Sequence, residues 1–220
     1  MKRYALYYAP PPGPLAEAAA RWLGRDAVSG EALAQPHPDL HPLTESARRY
    51  GFHATLKAPF ALAEGLGEDD LLAAVDVFAA GQAPFSADAL RLDRLDGFLA
   101  LVCDGDGAAL SAFAAQVVTR FNRFRAPLGE TERARRRPER LTARQRDLLD
   151  RYGYPYVLDA FRFHMTLTDS LSPEQEAWVR PLAEASFAPV LPRPFVVGGL
   201  AVFAEDAGGT FHEVHRARLG

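Results

Sequence analysis

Phe52-His53-Ala54-Thr55-Leu56-Lys57 and Phe163-His164-Met165-Thr166-Leu167-Thr168 repeat one pattern: apolar, His, apolar, Thr, Leu, polar. Such alternation marks a strand with one buried and one open face, because successive side chains leave a strand on opposite sides. In the first stretch Phe52, Ala54 and Leu56 share the apolar face, and His53, Thr55 and Lys57 share the other. In the second, Phe161, Phe163, Met165 and Leu167 oppose Arg162, His164, Thr166 and Thr168. Each polar face therefore carries an imidazole, a hydroxyl and a cation. Strands are predicted over Phe52 to Lys57, stopped by Pro59, and over Phe161 to Thr168.

Working outward, both stretches are followed by the same succession. After the first comes a helix over Glu68 to Ala80, with Leu71, Leu72, Val75, Phe78 and Ala79 at helical spacing. Two strands follow, Phe85 to Leu95 and Phe98 to Cys103, joined by the hairpin signal Asp96-Gly97. After the second comes a helix over Pro173 to Ala185 with Ser172 as its cap, then strands Phe195 to Ala204 and Thr210 to Ala217 across Gly208-Gly209. His53 and His164 stand 111 residues apart, while Phe85 and Phe195, and Leu90 and Leu200, stand 110 apart. One register nearly serves the whole block, as an internal duplication requires. The expectation is an α+β fold over residues 1–220: a single bilobal domain with a repeat around 50–104 and 161–217. Its two lobes of antiparallel sheet are related by a pseudo-two-fold axis, with helices packed outside and the active-site cleft between them.

The remaining segments frame this repeat. Tyr4 to Tyr8 reads as a strand, stopped by the prolines from Pro10 onward, and Leu15 to Leu23 as a helix with Pro14 in its first turn. Gly24 to His41 reads as a long loop, and Thr44 to Ala47 starts a short helix. A helix over Gly107 to Phe124 precedes the basic connector Arg133 to Arg140, and Leu141 to Tyr152 resumes as helix.

With 220 residues, 48% hydrophobic, the chain has material for one large core. A formal charge of −3 argues against a general nucleic-acid coat, so any anion must be held by a local cluster. Cys103 is the one cysteine and has no internal disulfide partner. No apolar run approaches the roughly 20 residues that span a bilayer. The prolines after Tyr8 interrupt any signal-peptide core. A soluble, cytoplasmic chain without membrane association is expected, and no protein partner is inferred.

Brought together, the two polar faces suit a phosphodiester. An ordinary histidine pKa near 6.5 allows one imidazole to accept a proton from water while the other donates to the leaving oxygen. Thr55 and Thr166 can donate to the non-bridging oxygens, and Lys57 and Arg162 can offset their charge, so the donors stabilise the transition state without a metal or another cofactor.

These motifs resemble those of the two-histidine (2H) phosphoesterase superfamily, related to 2′-5′ RNA ligase and cyclic phosphodiesterase. Its hallmark is a pair of His-x-Thr/Ser-apolar motifs in a bilobal fold. Arg49-Tyr50-Gly51-Phe52-His53-Ala54-Thr55-Leu56-Lys57 and Phe161-Arg162-Phe163-His164-Met165-Thr166-Leu167-Thr168 look most like its phosphonate-metabolism branch, encoded near phosphonate-degradation enzymes. The resemblance implies a metal-independent hydrolase acting on a cyclic phosphodiester, with His53 and His164 catalytic and Thr55 and Thr166 on the phosphate. The partner is then a small ribose or nucleotide cyclic phosphate. The alternatives are 2′-5′ ligation or hydrolysis at an RNA end, and a phosphate- or RNA-binding module without turnover. The roles of the two histidines stay open.

Tyr7 is the candidate among the first tyrosines to line the cleft by stacking on a base or sugar, against a plain packing role. Thr168, on the same polar face as His164, is a second lining candidate. The Arg133 to Arg140 run either clamps a phosphate-rich substrate or is a solvated connector. His37 and His41 lie four apart, but Pro36, Pro38 and Pro42 forbid the helix that would pair them on a metal. His212, His215 and Cys103 lie outside the expected site.

Overall fold

Backbone alternation in the two motif stretches becomes two neighbouring strands of one sheet. The computed structural model describes residues 2–220. In chain order the elements are β1 (Arg3–Tyr8), α1 (Pro14–Leu23), α2 (Glu45–Tyr50), β2 (Ala54–Ala61), α3 (Glu68–Ala80), β3 (Phe85–Ala87), β4 (Leu90–Leu95), β5 (Phe98–Cys103) and α4 (Ala108–Arg120). There follow α5 (Glu130–Arg135), α6 (Ala143–Tyr152), β6 (His164–Thr166), α7 (Pro173–Phe187), β7 (Phe195–Val197), β8 (Gly199–Glu205) and β9 (Phe211–Arg218). The fold is α+β. Seven strands form one sheet in the order β4-β5-β6-β2-β1-β8-β9, and β3 and β7 form a separate pair.

β2 meets β6 antiparallel at Ala54 and Met165, residues 111 apart. β3 meets β7 with Ser86 opposite Val196, residues 110 apart. At both points residues at the 110–111 spacing pair with each other. The hairpins, however, are exchanged. β5 of the first block pairs with β6 of the second, with Val102 opposite His164 and Ala100 opposite Thr166. β8 of the second block pairs with β1, the neighbour of β2. β3 leads into the hairpin that joins β6, and β7 leads into the hairpin that joins β1.

Where Phe85 to Leu95 and Phe195 to Ala204 were each expected as one strand, both break at matching points, after Ala87 and after Val197. The first piece serves the axis pair and the second the main sheet. Asp96-Gly97 forms the expected tight turn, both residues with positive φ (46° and 102°). β2 passes through Pro59 instead of stopping there. Its bridge to β6 is at Ala54, so the missing N–H of Pro59 leaves no β6 bond unmade.

Helices cover one face of the sheet. Leu6, Leu56, Leu101, Met165 and Val202 pack there against Trp22 of α1, Val75 of α3, Phe113 of α4 and Phe187 of α7. Trp22 is fully buried, and its Nε1–H donates to the Leu167 carbonyl at 2.9 Å, anchoring α1 beneath the second motif. α1, α3, α4, α6 and α7 form where helices are expected, whereas α5 runs into the expected connector and buries no residue. α6 and α7 start at Thr142 and Ser172, whose hydroxyls accept the N–H of Gln145 and Gln175. The opposite face carries a smaller cluster of Ala5, Tyr7, Ala201, Phe203 and Phe211, and beside it lie the motif histidines and threonines.

Candidate active site

Because Ala54 and Met165 face each other on the helix-covered side, their flanking residues share the other face. Antiparallel register sets Thr55 across from His164 and His53 across from Thr166, so each motif's imidazole stands against the other motif's hydroxyl. Two strands that look separate in sequence thus form a single four-residue cluster.

Both imidazoles are held in the same way. His53 Nδ1 lies 2.8 Å from the Gly51 carbonyl, and His164 Nδ1 lies 2.8 Å from the Arg162 carbonyl. A carbonyl only accepts, so each Nδ1 carries the hydrogen and each neutral ring keeps its basic lone pair on Nε2. For His53 that lone pair accepts from the Thr55 hydroxyl at 3.1 Å.

The surroundings differ. His53 is stacked on Tyr7, with centroids 3.7 Å apart and planes at 20°, and Tyr50 and Phe203 complete an aromatic enclosure. Loss of hydration pulls its pKa down from 6.5 to about 4, opposed by the Gly51 carbonyl and helped by the neighbouring His164 charge. His164 is also lowered, first by burial, then by the Arg162 charge, against the Arg162 carbonyl and Asp96.

A cavity of about 470 Å³ opens over this cluster, and Thr55, Phe98, Tyr154, Tyr156, Arg162 and His164 are among the residues that line it. Arg162 stands largely exposed at its mouth, 3.8 Å from Asp96. His53 sits behind Thr55. Thr166 shares the face without lining the cavity. A second hollow of about 540 Å³ lies at Arg25, Ser46, Arg48 and Arg49, away from both motif histidines. Its arginines are already engaged: Arg25 with the carbonyls of Arg48 and Phe211, Arg48 with His41, and Arg49 with Glu205.

Three further expected site residues do not line the cavity. Lys57 was placed on the His53 face by strict alternation. The β1 register shifts between Tyr7 opposite Thr55 and Leu6 opposite Lys57, so a bulge turns Lys57 to the same side as the core residue Leu6. Its Nζ has no hydrogen-bond partner among the described residues and lies 5.1 Å from the Phe60 ring centre. Burial, aided by the Arg125 charge, pulls its pKa from 10.5 to about 7. Tyr7 is 1% exposed and supports His53 from below instead of lining the cleft. Thr168 is buried, and its Oγ1 accepts the Leu99 N–H at 3.0 Å, tying the end of the motif to β5. The residues that pattern reading passed over are Gly51, Phe98, Tyr154 and Tyr156. The run Tyr152-Gly153-Tyr154-Pro155-Tyr156 carried an aromatic signal for two of them. His212 and His215 bond Asp206 and Asp76 outside the site, and His37 accepts the Asp39 N–H.

Residues 55–212, more than half of the chain, match the model of a family described as a protein of unknown function, DUF1045. The chain belongs to the DUF1045 family. A ribose 1,5-bisphosphate phosphokinase PhnN of Janthinobacterium sp. (strain Marseille) is 43% identical over 220 residues, covering 95% of this DUF1045 chain and 49% of that protein. A protein of the same name from Laribacter hongkongensis (strain HLHK9) is 37% identical over 218 residues, covering 95% and 50%. The chain thus spans about half the length of these curated relatives. Lys2 and Lys57 are its lysines and neither follows a glycine, so the Gly-Lys-Ser/Thr phosphate cradle of P-loop kinases is not found in it. Among solved structures, E. coli LigT complexed with 3′-AMP gives a TM-score of 0.44 at 14% identity, covering 99% of this chain and 98% of that one. TT0787 of Thermus thermophilus gives 0.45 at 17%, covering 99% and 97%. At that overlap they assign nothing to this DUF1045 chain, whose chemistry rests on its own residues. No helix among the described residues is long and apolar enough to cross a membrane.

Proposed function

We propose that this chain is a phosphoesterase that hydrolyses a cyclic phosphodiester by paired histidine acid–base catalysis. Residues 1–220 then act as one bilobal domain built on the repeat around 50–104 and 161–217. The observation that carries this is the matched clamp. Both motif histidines stand on one face, and each spends its Nδ1–H on a backbone carbonyl 2.8 Å away, leaving Nε2 for proton transfer. A cavity of about 470 Å³ fits a small molecule better than a long polymer. The name of the relatives supports a ribose phosphate as the body of the substrate, in phosphonate metabolism.

His53, held neutral by its aromatic enclosure, takes the proton of the attacking water at Nε2 as the water oxygen bonds to phosphorus. His164, nearer the open cavity and Asp96, donates its proton to the ester oxygen whose bond to phosphorus breaks. The substrate's negative charge favours that proton on His164. Thr55 turns its hydroxyl from His53 to a non-bridging oxygen, which frees Nε2. Thr166 donates likewise, and Arg162 offsets charge from the mouth. The product is a phosphomonoester with a freed hydroxyl, and proton exchange with solvent resets the pair. No step passes through a metal.

Purified protein in EDTA, supplied with 2′,3′-cyclic AMP and with cyclic phosphates of ribose, is expected to yield a phosphomonoester by phosphorus NMR. Complete loss of turnover in EDTA overturns the metal-free mechanism. Binding of the product monoester without turnover of any cyclic phosphate or 2′-5′ dinucleotide replaces the enzyme with a binding module. Cleavage or joining of the dinucleotide alone makes an RNA end the substrate.

A further inference from the structure

The connector between α4 and α6 lays one arginine on a ring that lines the cavity. Arg133 pairs with Asp150, and Arg144, at the start of α6, pairs with Asp159 and Asp147. Arg136 has no ion pair among the described residues. Its guanidinium instead lies over the ring of Tyr154, 5.0 Å from the centre, and Tyr154 lines the same cavity as Thr55 and His164. Arg136 is half-buried there, whereas its neighbours Arg135 and Arg137 are exposed. Its charge also reaches the buried phenol of Tyr7, beneath His53, and works there against the rise that burial causes.

A planar cation stacked on an aromatic ring keeps its edge N–H groups free, and that edge matches phosphate oxygens in a bidentate way. In the proposed reaction Arg162 and the two threonines serve the reacting phosphodiester, and Tyr154 lines the same cavity as Thr55 and Arg162. We propose that Arg136, held by Tyr154, forms a second anion subsite that selects substrates carrying a phosphate in addition to the cyclic phosphodiester. This deepens the phosphoesterase reading and rests on it for the identity of the substrate. Binding at the subsite can be tested without turnover.

Calorimetric titration of the purified chain with adenosine 2′,5′-bisphosphate and adenosine 2′-monophosphate compares ligands that differ by one phosphate. The bisphosphate is expected to bind at least about tenfold tighter, since a desolvated charge-assisted contact contributes about 1.5–3 kcal/mol. Arg136→Gln should bring the ratio close to one, Arg136→Lys should leave it intermediate, and Arg135→Gln should leave it as in the parent. Equal affinities in the parent chain, or a ratio that survives Arg136→Gln, overturns the subsite. A bisphosphate preference without hydrolysis of any cyclic phosphate retains the subsite and removes the phosphoesterase. Hydrolysis without that preference does the reverse.

Discussion

His53 and His164 share a motif, a strand geometry and a carbonyl clamp, yet one is stacked on an aromatic ring and the other lines the cavity. The difference traces to the residue across from each motif threonine. Opposite Thr55 stands Tyr7 of β1, and opposite Thr166 stands Ala100 of β5. Tyr7 fills the space beneath His53. Ala100 fills none beside His164, whose nearest ring is Phe98 at 5.8 Å. Two like motifs thus differ in surroundings because unlike strands neighbour them, and the proposed acid–base pairing uses that separation.

The largest effects should come from breaking the pair. His53→Ala and His164→Ala are each expected to lower kcat by about 10²–10⁴-fold, the scale of a positioned acid or base. They should also remove different limbs of the pH profile. With His53 as base, kcat/KM rises as pH climbs through about 4, where His53 loses its proton. It falls again as His164 loses its own, below the ordinary 6.5. A profile rising only above pH 7 reverses or removes these roles.

Ala100→Phe tests whether the small residue keeps the second half open. The added ring should crowd His164 and lower kcat/KM about tenfold while its alkaline limb moves to lower pH, since burial disfavours imidazolium. An unchanged profile separates openness from this position.

The clamps can be compared through stability. Gly51 offers its carbonyl to His53 at φ +75°, and a Cβ there would lie 2.7 Å from the Ala27 Cβ. Gly51→Ala should cost about 2–3 kcal/mol in urea unfolding. Arg162→Ala should cost under about 0.5 kcal/mol, because the clamp on His164 uses backbone and the side chain is exposed.

A smaller change separates Lys57 from Thr168, which hold matching places in the repeat. Thr168 is satisfied by the Leu99 N–H, and the Lys57 ammonium is buried without a partner among the described residues. With its folded pKa near 7 below an unfolded value of about 10.4, the native chain binds fewer protons between them. Its stability should therefore rise with pH through that window. Lys57→Met should stabilise the chain by about 1–2 kcal/mol at pH 7 and by less at pH 10. Destabilisation at pH 7 gives Lys57 a partner or a role that its burial hides.

Much of the site could be read in the residues. His53, Thr55, His164 and Thr166 alternate with apolar neighbours, and that alternation places them on one face wherever the strands lie. Arg162 reaches the cleft as its position implied. Lys57 misled because one bulge reverses the alternation after Thr55, and a bulge depends on the partner strand. Tyr7 and Thr168 have the right parity but are buried by neighbours distant in sequence. Tyr154, in the segment after α6, and Arg136, in the connector before it, lie where no strand or helix period points toward the cleft.

The sequence by itself determined the two amphipathic strands, the helices that follow them and the near-constant spacing of the repeat. These are properties of backbone sterics and local periodicity, and they hold before any long-range contact forms. Only the tertiary structure decided that the motif strands lie side by side, that the two hairpins join β6 and β1, and that one histidine is stacked in aromatic rings while its counterpart lines the cavity. Those outcomes depend on which strand pairs with which, and that choice is made by burial summed over the whole sheet.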